Sequence, residues 1–600
     1  MKAYINDKEV EFKENETILS VARANGHFIP TLCELSCIGH TPGTCRVCLV
    51  EIRRKGEKET QLVTSCNTPM EEGMEVLTRT RRVREQQRLQ VELLLADHNQ
   101  DCASCIRHGD CELQDVAQFV GLEVTRYNYP KFYQQRTKDE SSSAIVRDMS
   151  KCIRCFRCVT VCREIQGTDV LVISENGLNT EVGIRDSELM GVSDCVSCGQ
   201  CTLVCPVGAL SERDDTEEVI DYLYDPEIFT VFQVAPAVRI ALGEEFHMDP
   251  GSLVIGQIVT AMKKLGADVA LDTNFTADLV IMEEGSELLQ RIAEGGKLPL
   301  MTSCSPGWIN FMEKYYPEIG GHISTVKSPQ QCFGAIAKTY LAQKLGVNPR
   351  SMRVVSIMPC TAKKDEAKRT QHKLNIGKPE VDVVLTTREF ARLLKREGIW
   401  LPDLEESPYD DPWMGEYTGA AALFGTTGGV MEAALRSVYY LVKGEELKGI
   451  EIKAVRGLDN VKEAAVDFGG ELGEVRVAVG HGLKAARQLS EQVQAGTSPY
   501  AFIEIMACPG GCMGGGGQPR IKGSYQIYAE TRQAAIYDHD RNLPIRQSHN
   551  NPLLQKLYKD FLGEPLSHKS HELLHTYYTD RKRQIKHTIK AIWEEIKIGA

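Results

Sequence analysis

No apolar run in the 600-residue chain reaches the roughly 18 residues that a membrane-crossing helix needs, so no membrane span is expected. Residues 1–25 contain no apolar h-region, which argues against a secretory signal and for a cytoplasmic protein. Positive charge is not in excess: 70 Lys and Arg stand against 82 Asp and Glu, a formal charge of −12. Nucleic acid is therefore not expected as a partner. A nucleotide-binding fingerprint is also missing. The block Met414–Glu432 contains G-T-T-G-G but lacks the Lys-Ser/Thr ending of a phosphate loop, and it reads as tight packing. Cysteine, in contrast, is abundant, with 21 copies. In a long chain without a signal they read as metal ligands in a reducing compartment, not as a disulfide framework. The length implies several domains, and an apolar content of 42% is enough for real cores.

The cysteines fall into groups. Met1–Phe12 alternates like a hairpin, and Ile18–Asn25 reads as a short helix. Cys33, Cys45, Cys48 and Cys66 then follow in the pattern C-x11-C-x2-C-x17-C, which suits a 2Fe–2S cluster in a loop closed by a strand, with zinc as the competing reading. Cys37 is a fifth thiol, read as structural or as a ligand in place of Cys33. A charged helix over Arg81–Asp97 leads into His98-x3-Cys102-x2-Cys105-x5-Cys111, which on spacing alone favours zinc over a 4Fe–4S cluster. Residues 121–145 are a polar connector containing Ser141–Ser143.

Residues 146–215 hold an internal repeat. Its copies are Cys152-x2-Cys155-x2-Cys158-x3-Cys162 and Cys195-x2-Cys198-x2-Cys201-x3-Cys205-Pro206. This is the signature of a two-cluster bacterial-type ferredoxin, whose fourth cysteine crosses to the other cluster. Cys152, Cys155, Cys158 and Cys205 are expected to hold one 4Fe–4S cluster, and Cys195, Cys198, Cys201 and Cys162 the other.

From about residue 225 the pattern alternates between strand and helix. Strands are expected at Phe229–Val234, Leu279–Met282, Val354–Met358, Val381–Leu385, Val475–Val479 and Phe502–Ile505, and helices at Ser328–Leu345 and Met431–Val442. That predicts α/β layering with mostly parallel strands. The stretch Phe502–Pro519 is the centre of this half. An apolar run leads to Cys508 and Cys512, and then to four glycines, Gly514–Gly517. A Gly-rich turn lets backbone approach a bulky group, and thiolates beside it point to an iron–sulfur or other soft-metal site. At the other end of the chain, Ile585, Ile589, Ile592, Trp593 and Ile596 fall on one face of a predicted tail helix. It docks either on its own chain or on a partner.

Three strings, T-S-C-S-P-G-W at Thr302–Trp308, M-P-C-T-A-K-K-D-E at Met358–Glu366 and the Phe502–Pro519 stretch, resemble the signature of the iron-only (FeFe) hydrogenases over about residues 225–578. The N-terminal region resembles the large peripheral-arm subunit of respiratory complex I, where the H-x3-C-x2-C-x5-C string matches a His-ligated 4Fe–4S cluster. The resemblance implies a multidomain α+β and α/β chain. Its parts would be a ubiquitin/ferredoxin-like 2Fe–2S domain (1–78), a 4Fe–4S domain with one histidine and three cysteine ligands (79–120), a two-cluster ferredoxin domain (140–215), a large α/β H-cluster domain (222–578) and a helical tail (579–600).

The H-cluster is a cubane bridged through a cysteine to a di-iron subsite with CO, cyanide and a dithiolate bridge. By motif match Cys512 is the bridging ligand, and Cys508 and Cys360 are cubane ligands. The family's first motif usually reads T-S-C-C-P, where the first cysteine relays protons and the second ligates the cubane. Here Ser305 follows Cys304. Register makes Cys304 the relay and Ser305 the ligand, whereas the softness of thiolate favours Cys304 as ligand. Lys363 matches the lysine that contacts a cyanide. Gln330, Ala235, Pro236, Phe424, Met358 and Met506 match other pocket positions, and Glu284, Ser324, Glu287 and Arg291 match the proton path. The implied activity is reversible reduction of two protons to H2. Electrons would pass through one 2Fe–2S and three accessory 4Fe–4S clusters to ferredoxin or to NAD(P)H- or flavin-bearing subunits of a hetero-oligomer, and maturation proteins would supply the H-cluster. The alternatives are a non-catalytic electron-transfer or H2-sensing subunit, and the large subunit of an NADH–quinone oxidoreductase.

Overall fold

The computed structural model describes residues 1–127, 136, 138–175, 177–410, 412–469, 473–521 and 525–582. The apolar stripe expected of the tail lies outside the described residues. The chain forms two compact units. The first comprises Met1–Ile165, Asp169–Ser193 and Val204–Ser211, and the second Gln166–Thr168, Asp194–Leu203 and the chain from Glu212 onward.

The first unit opens with a hairpin of Lys2–Ile5 and Lys8–Glu11. Asn6 and Asp7 both take positive φ at its tip (47° and 65°), the turn geometry that matches strand twist. Lys2–Ile5 also pairs in parallel with Glu75–Leu77, which pairs with Leu49–Arg53, and Gln61–Thr64 completes a five-stranded sheet. Its buried face, including Ile5, Val10, Val50, Ile52 and Val76, takes the apolar side of helix Ile18–Ala24. Thr17 caps that helix by accepting from the Ser20 amide at 3.2 Å. The charged helix spans Arg81–Ala96 and is capped by Thr80 in the same way.

The second unit carries two four-stranded sheets. In one, Val269–Asp272, Phe229–Val234, Met352–Met358 and Val383–Thr386 lie side by side and all parallel. In the other, Leu300–Met301, Phe502–Met506 and Glu474–His481 are parallel, and Val461–Asp467 adds an antiparallel edge. The inner strands are buried on both faces, hence their unbroken apolar runs. Helices Pro329–Ile336, with its continuation to Leu345, and Gly429–Lys443 occupy the expected positions.

One expected strand is a helix. Leu279–Met282 lies inside the helix Asn274–Glu294. Four apolar residues in a row carry no period of their own, and this helix is buried nearly all round over Asn274–Ile281, so its polar stripe is missing where it would have identified it. The strand of this region is Val269–Asp272. Among the described residues no helix is long and apolar enough to cross a membrane.

Candidate active site

Parallel strands present their C-terminal ends together, where α/β proteins build their sites. The loops that leave Val234, Met301, Met358 and Met506 meet there. Lys363 Nζ donates to the Cys304 carbonyl at 3.1 Å, and the Ala507 amide donates to Ser305 Oγ at 3.2 Å. The Gly517 amide donates to the Pro359 carbonyl at 2.8 Å, and Gln518 Nε2 donates to the Ala237 carbonyl at 2.8 Å. Cys304, Cys360, Cys508 and Cys512 are thereby gathered at one place from motifs far apart in the chain. The other late thiol, Cys332, is buried elsewhere and donates to the Lys327 carbonyl at 3.4 Å.

Burial dominates the electrostatics of these thiols. It raises Cys360 and Cys508, and with the neighbouring Cys360 it pushes Cys512 up to about 12. Unligated, they are neutral thiols, and a bound iron–sulfur cluster is what would hold them deprotonated. Cys304 packs with Phe424, Met506 and Cys512 in one apolar cluster. Its thiol too is raised by burial and then by the charges of Glu284 and Cys512. Ala235 and Met358 belong to the neighbouring core, and Pro236 is buried beside them. Lys363 Nζ also holds Glu366 Oε2 at 3.0 Å, and the same oxygen accepts from Gln330 Nε2 at 3.1 Å and Ser328 Oγ at 2.9 Å. Gln330 Oε1 is buried and has no partner among the described residues, as suits a residue that faces a bound group.

The glycine run is sterically required. A Cβ on Gly516 would stand 2.3 Å from the Cys198 carbonyl oxygen, and one on Gly511 (φ +88°) would stand 2.6 Å from the Thr427 amide. The segment bearing Cys195, Cys198 and Cys201 is thus pressed against the turn. Thr361 Oγ1 donates to the Ser197 carbonyl at 2.7 Å, and Gln200 Nε2 donates to the Gly514 carbonyl at 2.8 Å. Sequence reasoning missed Arg388, which is fully buried and donates to the Gly516 carbonyl at 2.9 Å while paired with buried Glu212. The flanking arginines, Arg388 first, hold the Glu212 carboxyl well below the usual carboxylate range despite its burial.

A line of polar groups leads outward from Cys304. Glu284 is buried with Oε1 unpartnered among the described residues, and burial, then Glu287, push its carboxyl up to about 8. Ser324 stands next, in reach of Glu284 and donating to Glu287 Oε2 at 2.8 Å. Arg291 pairs with Glu287 Oε1 at 2.6 Å. Arg291 and Thr325 line a cavity of about 360 Å³ with Thr576 and Asp580, so the line ends at a space that water can enter.

In the first unit Cys33, Cys45, Cys48 and Cys66 are buried together. Cys33 lies within hydrogen-bonding reach of Cys45 and Cys66, and Cys48 within reach of Cys66, while Cys37 is exposed. His98 is buried with Nδ1 unpartnered among the described residues, and burial pushes it down to about 4, leaving the neutral form that a metal ligand needs. Cys111 is buried, and Cys102 and Cys105 are half-buried. Cys152, Cys155, Cys158 and Cys205 line one apolar cavity with Met149, Ile153 and Val207. Cys162 accepts from the Leu171 amide at 3.5 Å. Among the described residues, no three His, Cys, Asp or Glu side chains close to the spacing of a single bound ion.

Residues 228–516 match the C-terminal domain of the iron only hydrogenase large subunit, and residues 526–581 the iron hydrogenase small subunit. Residues 1–81 match a 2Fe-2S iron-sulfur cluster binding domain, 87–126 the NADH-ubiquinone oxidoreductase-G iron-sulfur binding region, and 148–209 a 4Fe-4S dicluster domain. The chain is 45% identical to the NADP-reducing hydrogenase subunit HndD of Solidesulfovibrio fructosivorans, over 96% of this chain and 99% of that one. It is 39% identical to iron hydrogenase 1 of Clostridium pasteurianum, with the same coverage of 96% and 99%. The solved [FeFe]-hydrogenase HydA1 of Chlamydomonas reinhardtii, at 42% identity, superposes on 61% of this chain and 99% of its own with a TM-score of 0.55.

Proposed function

The chain belongs to the iron-only hydrogenases, and on that premise we propose how its own residues hold and serve the H-cluster. The late hydrogenase match answers the alternative of an NADH–quinone oxidoreductase large subunit, which predicts none of residues 228–516. Cys360, Cys508 and Cys512 would hold the cubane, with Ser305 as the fourth ligand, and Cys512 would be the residue shared with the di-iron subsite. When bound, the H-cluster supplies the redox chemistry that joins two protons and two electrons as H2. Lys363, oriented by Glu366, presents an ammonium to the anionic ligands of the subsite. Gln330, Ala235, Pro236, Phe424, Met358 and Met506 shape the dry pocket around it. Cys304 holds the proton nearest the reacting centre, and Glu284, Ser324, Glu287 and Arg291 pass it to the water-accessible cavity.

Cys33, Cys45, Cys48 and Cys66 take a 2Fe–2S cluster. His98 with Cys102, Cys105 and Cys111 takes a 4Fe–4S cluster, and the repeat takes two more with its fourth cysteines exchanged. The domains follow at 1–78, 79–120, 140–215 and 222–578, with a tail from 579. The likeness to a subunit of an NADP-reducing hydrogenase supports a hetero-oligomer whose other subunits bind the nicotinamide. The convergence of four strand-end loops on the late cysteines carries the reading. Infrared bands of CO and cyanide on matured protein test it; their absence from correctly matured protein overturns it.

Two results are expected here. Iron analysis and EPR of reconstituted protein should give one 2Fe–2S centre and four cubanes, one per ligand set. Stoichiometric zinc would instead remove the His98 set. Glu284→Gln should cut turnover by about 10²–10⁴-fold, the usual contribution of a positioned proton-transfer group. In the native protein Glu284 is protonated below about pH 8 and ionised above. H2 evolution, which needs a proton donor, should therefore fall as pH rises through that value. A pH–rate profile unchanged by Glu284→Gln would exclude it from the path.

A further inference from the structure

Glu504 sits in the middle of the strand Phe502–Met506, fully buried, on the same face as Phe502 and Met506. A carboxylate there is costly unless it is fully engaged. It accepts from the Gly428 and Met431 amides, both at 2.7 Å, at the start of helix Gly429–Lys443. The G-T-T-G-G loop thus has its anion supplied by the protein itself. Lys462, also buried, contacts the same loop. Its ammonium reaches Thr427 Oγ1 at 3.3 Å, the Thr427 carbonyl at 3.5 Å and the Gly457 carbonyl at 3.0 Å. Opposite charges therefore hold adjacent residues of the loop, the carboxylate at Gly428 and the ammonium at Thr427. The gripped loop passes the constraint on: the Thr427 amide donates to the Gly510 carbonyl at 3.0 Å. The Gly510 amide in turn donates to His481 Nδ1 at 3.1 Å. Gly510 and Gly511 are the residues through which the chain passes from Cys508 to Cys512.

We propose that Glu504 and Lys462 form a buried charge clamp that positions the Cys508–Cys512 turn and sets the reduction potential of the cluster bound there. Resting on the ligand assignment above, the inference adds two charged residues that touch no ligand and act through the loop and through space. The carboxylate's charge is felt at Cys304 and Cys512. It disfavours adding an electron nearby, and the ammonium favours it. Burial pushes Lys462 down to about 8, with Glu504 opposing that fall, and burial raises Glu504, with the Met431 and Gly428 amides and Lys462 opposing that rise.

The test is a redox titration, followed by EPR, of protein reconstituted with its iron–sulfur clusters alone, comparing Glu504→Gln, Lys462→Met and the double variant. Removing the carboxylate should raise the midpoint of one cubane, removing the ammonium should lower it, and the double variant should return toward the native value. The other centres should not move. A merely structural role would loosen the turn in either variant and could not give shifts of opposite sign. Shifts of the same sign, or none, overturn the proposal. If Glu504→Gln fails to fold, the direction of the Lys462→Met shift decides. Native protein showing no cubane from Cys360, Cys508 and Cys512 would instead fail the ligand assignment, a distinguishable result.

Discussion

Cys512→Ala should abolish H2 turnover and leave the EPR signals of the N-terminal and ferredoxin-type clusters in place. Cys512 follows the turn that Gly511 makes at φ +88°, and it packs against the same apolar cluster as Cys304, Phe424 and Met506. A bridging thiolate at this point would be the protein's own covalent link to the di-iron subsite. Its loss should exceed the roughly 10–100-fold that removal of an outer partner typically costs. The ligand sets from Cys33 to Cys205 are separate from it in sequence, and Cys33–Cys66 and the Cys152 set line sites of their own. Those centres should therefore reconstitute normally. Cys512→Ser controls for side-chain volume: it keeps the size and offers a harder donor, so some cubane signal but little turnover is expected. Full activity in Cys512→Ala would remove the H-cluster assignment at this cysteine.

Much of this architecture is legible in the sequence because the cysteine motifs of the matched iron–sulfur domains are local. His98, Cys102, Cys105 and Cys111 lie within one turn-rich segment, and the ferredoxin repeat announces itself by spacing. Buried parallel strands show as apolar runs, which placed Phe229–Val234 and Phe502–Met506 correctly. The same signal misled at Leu279–Met282, where the first half of a helix is buried nearly all round and shows no amphipathic period. The groups that sequence reasoning did not find are those whose partners are remote. Arg388 and Glu212 are separated by 176 residues, and only the fold brings them together behind the glycine turn. Glu504 had a local signal, a lone carboxylate in F-I-E-I-M, but its meaning lies in the amides of Gly428 and Met431, which no spacing rule connects to it. Long-range charge pairs carry no periodicity, and so motif reading passes over them.

The pair Cys304–Ser305 separates two arrangements by experiment. In one, Ser305 stands at the cubane and Cys304 is the free thiol that carries protons. In the other, Cys304 ligates and no thiol remains for relay. Motif register favours the first. Ser305 Oγ accepts from the Ala507 amide, next to Cys508, which turns it toward the ligand side. The Cys304 thiol is in the fields of both Glu284, the first group of the proposed proton line, and Cys512. Oxygen is a harder donor than thiolate and less suited to iron–sulfur clusters. Ser305→Cys should therefore keep or strengthen the cubane signal, with activity retained. Cys304→Ala should lower turnover by about 10²–10⁴-fold, because only proton delivery is lost, and the cubane EPR signal should persist. If Cys304→Ala destroys that signal, Cys304 is the ligand. The proton path would then have to begin at Glu284 without a thiol, and Ser305→Cys would restore the missing relay instead of the missing corner.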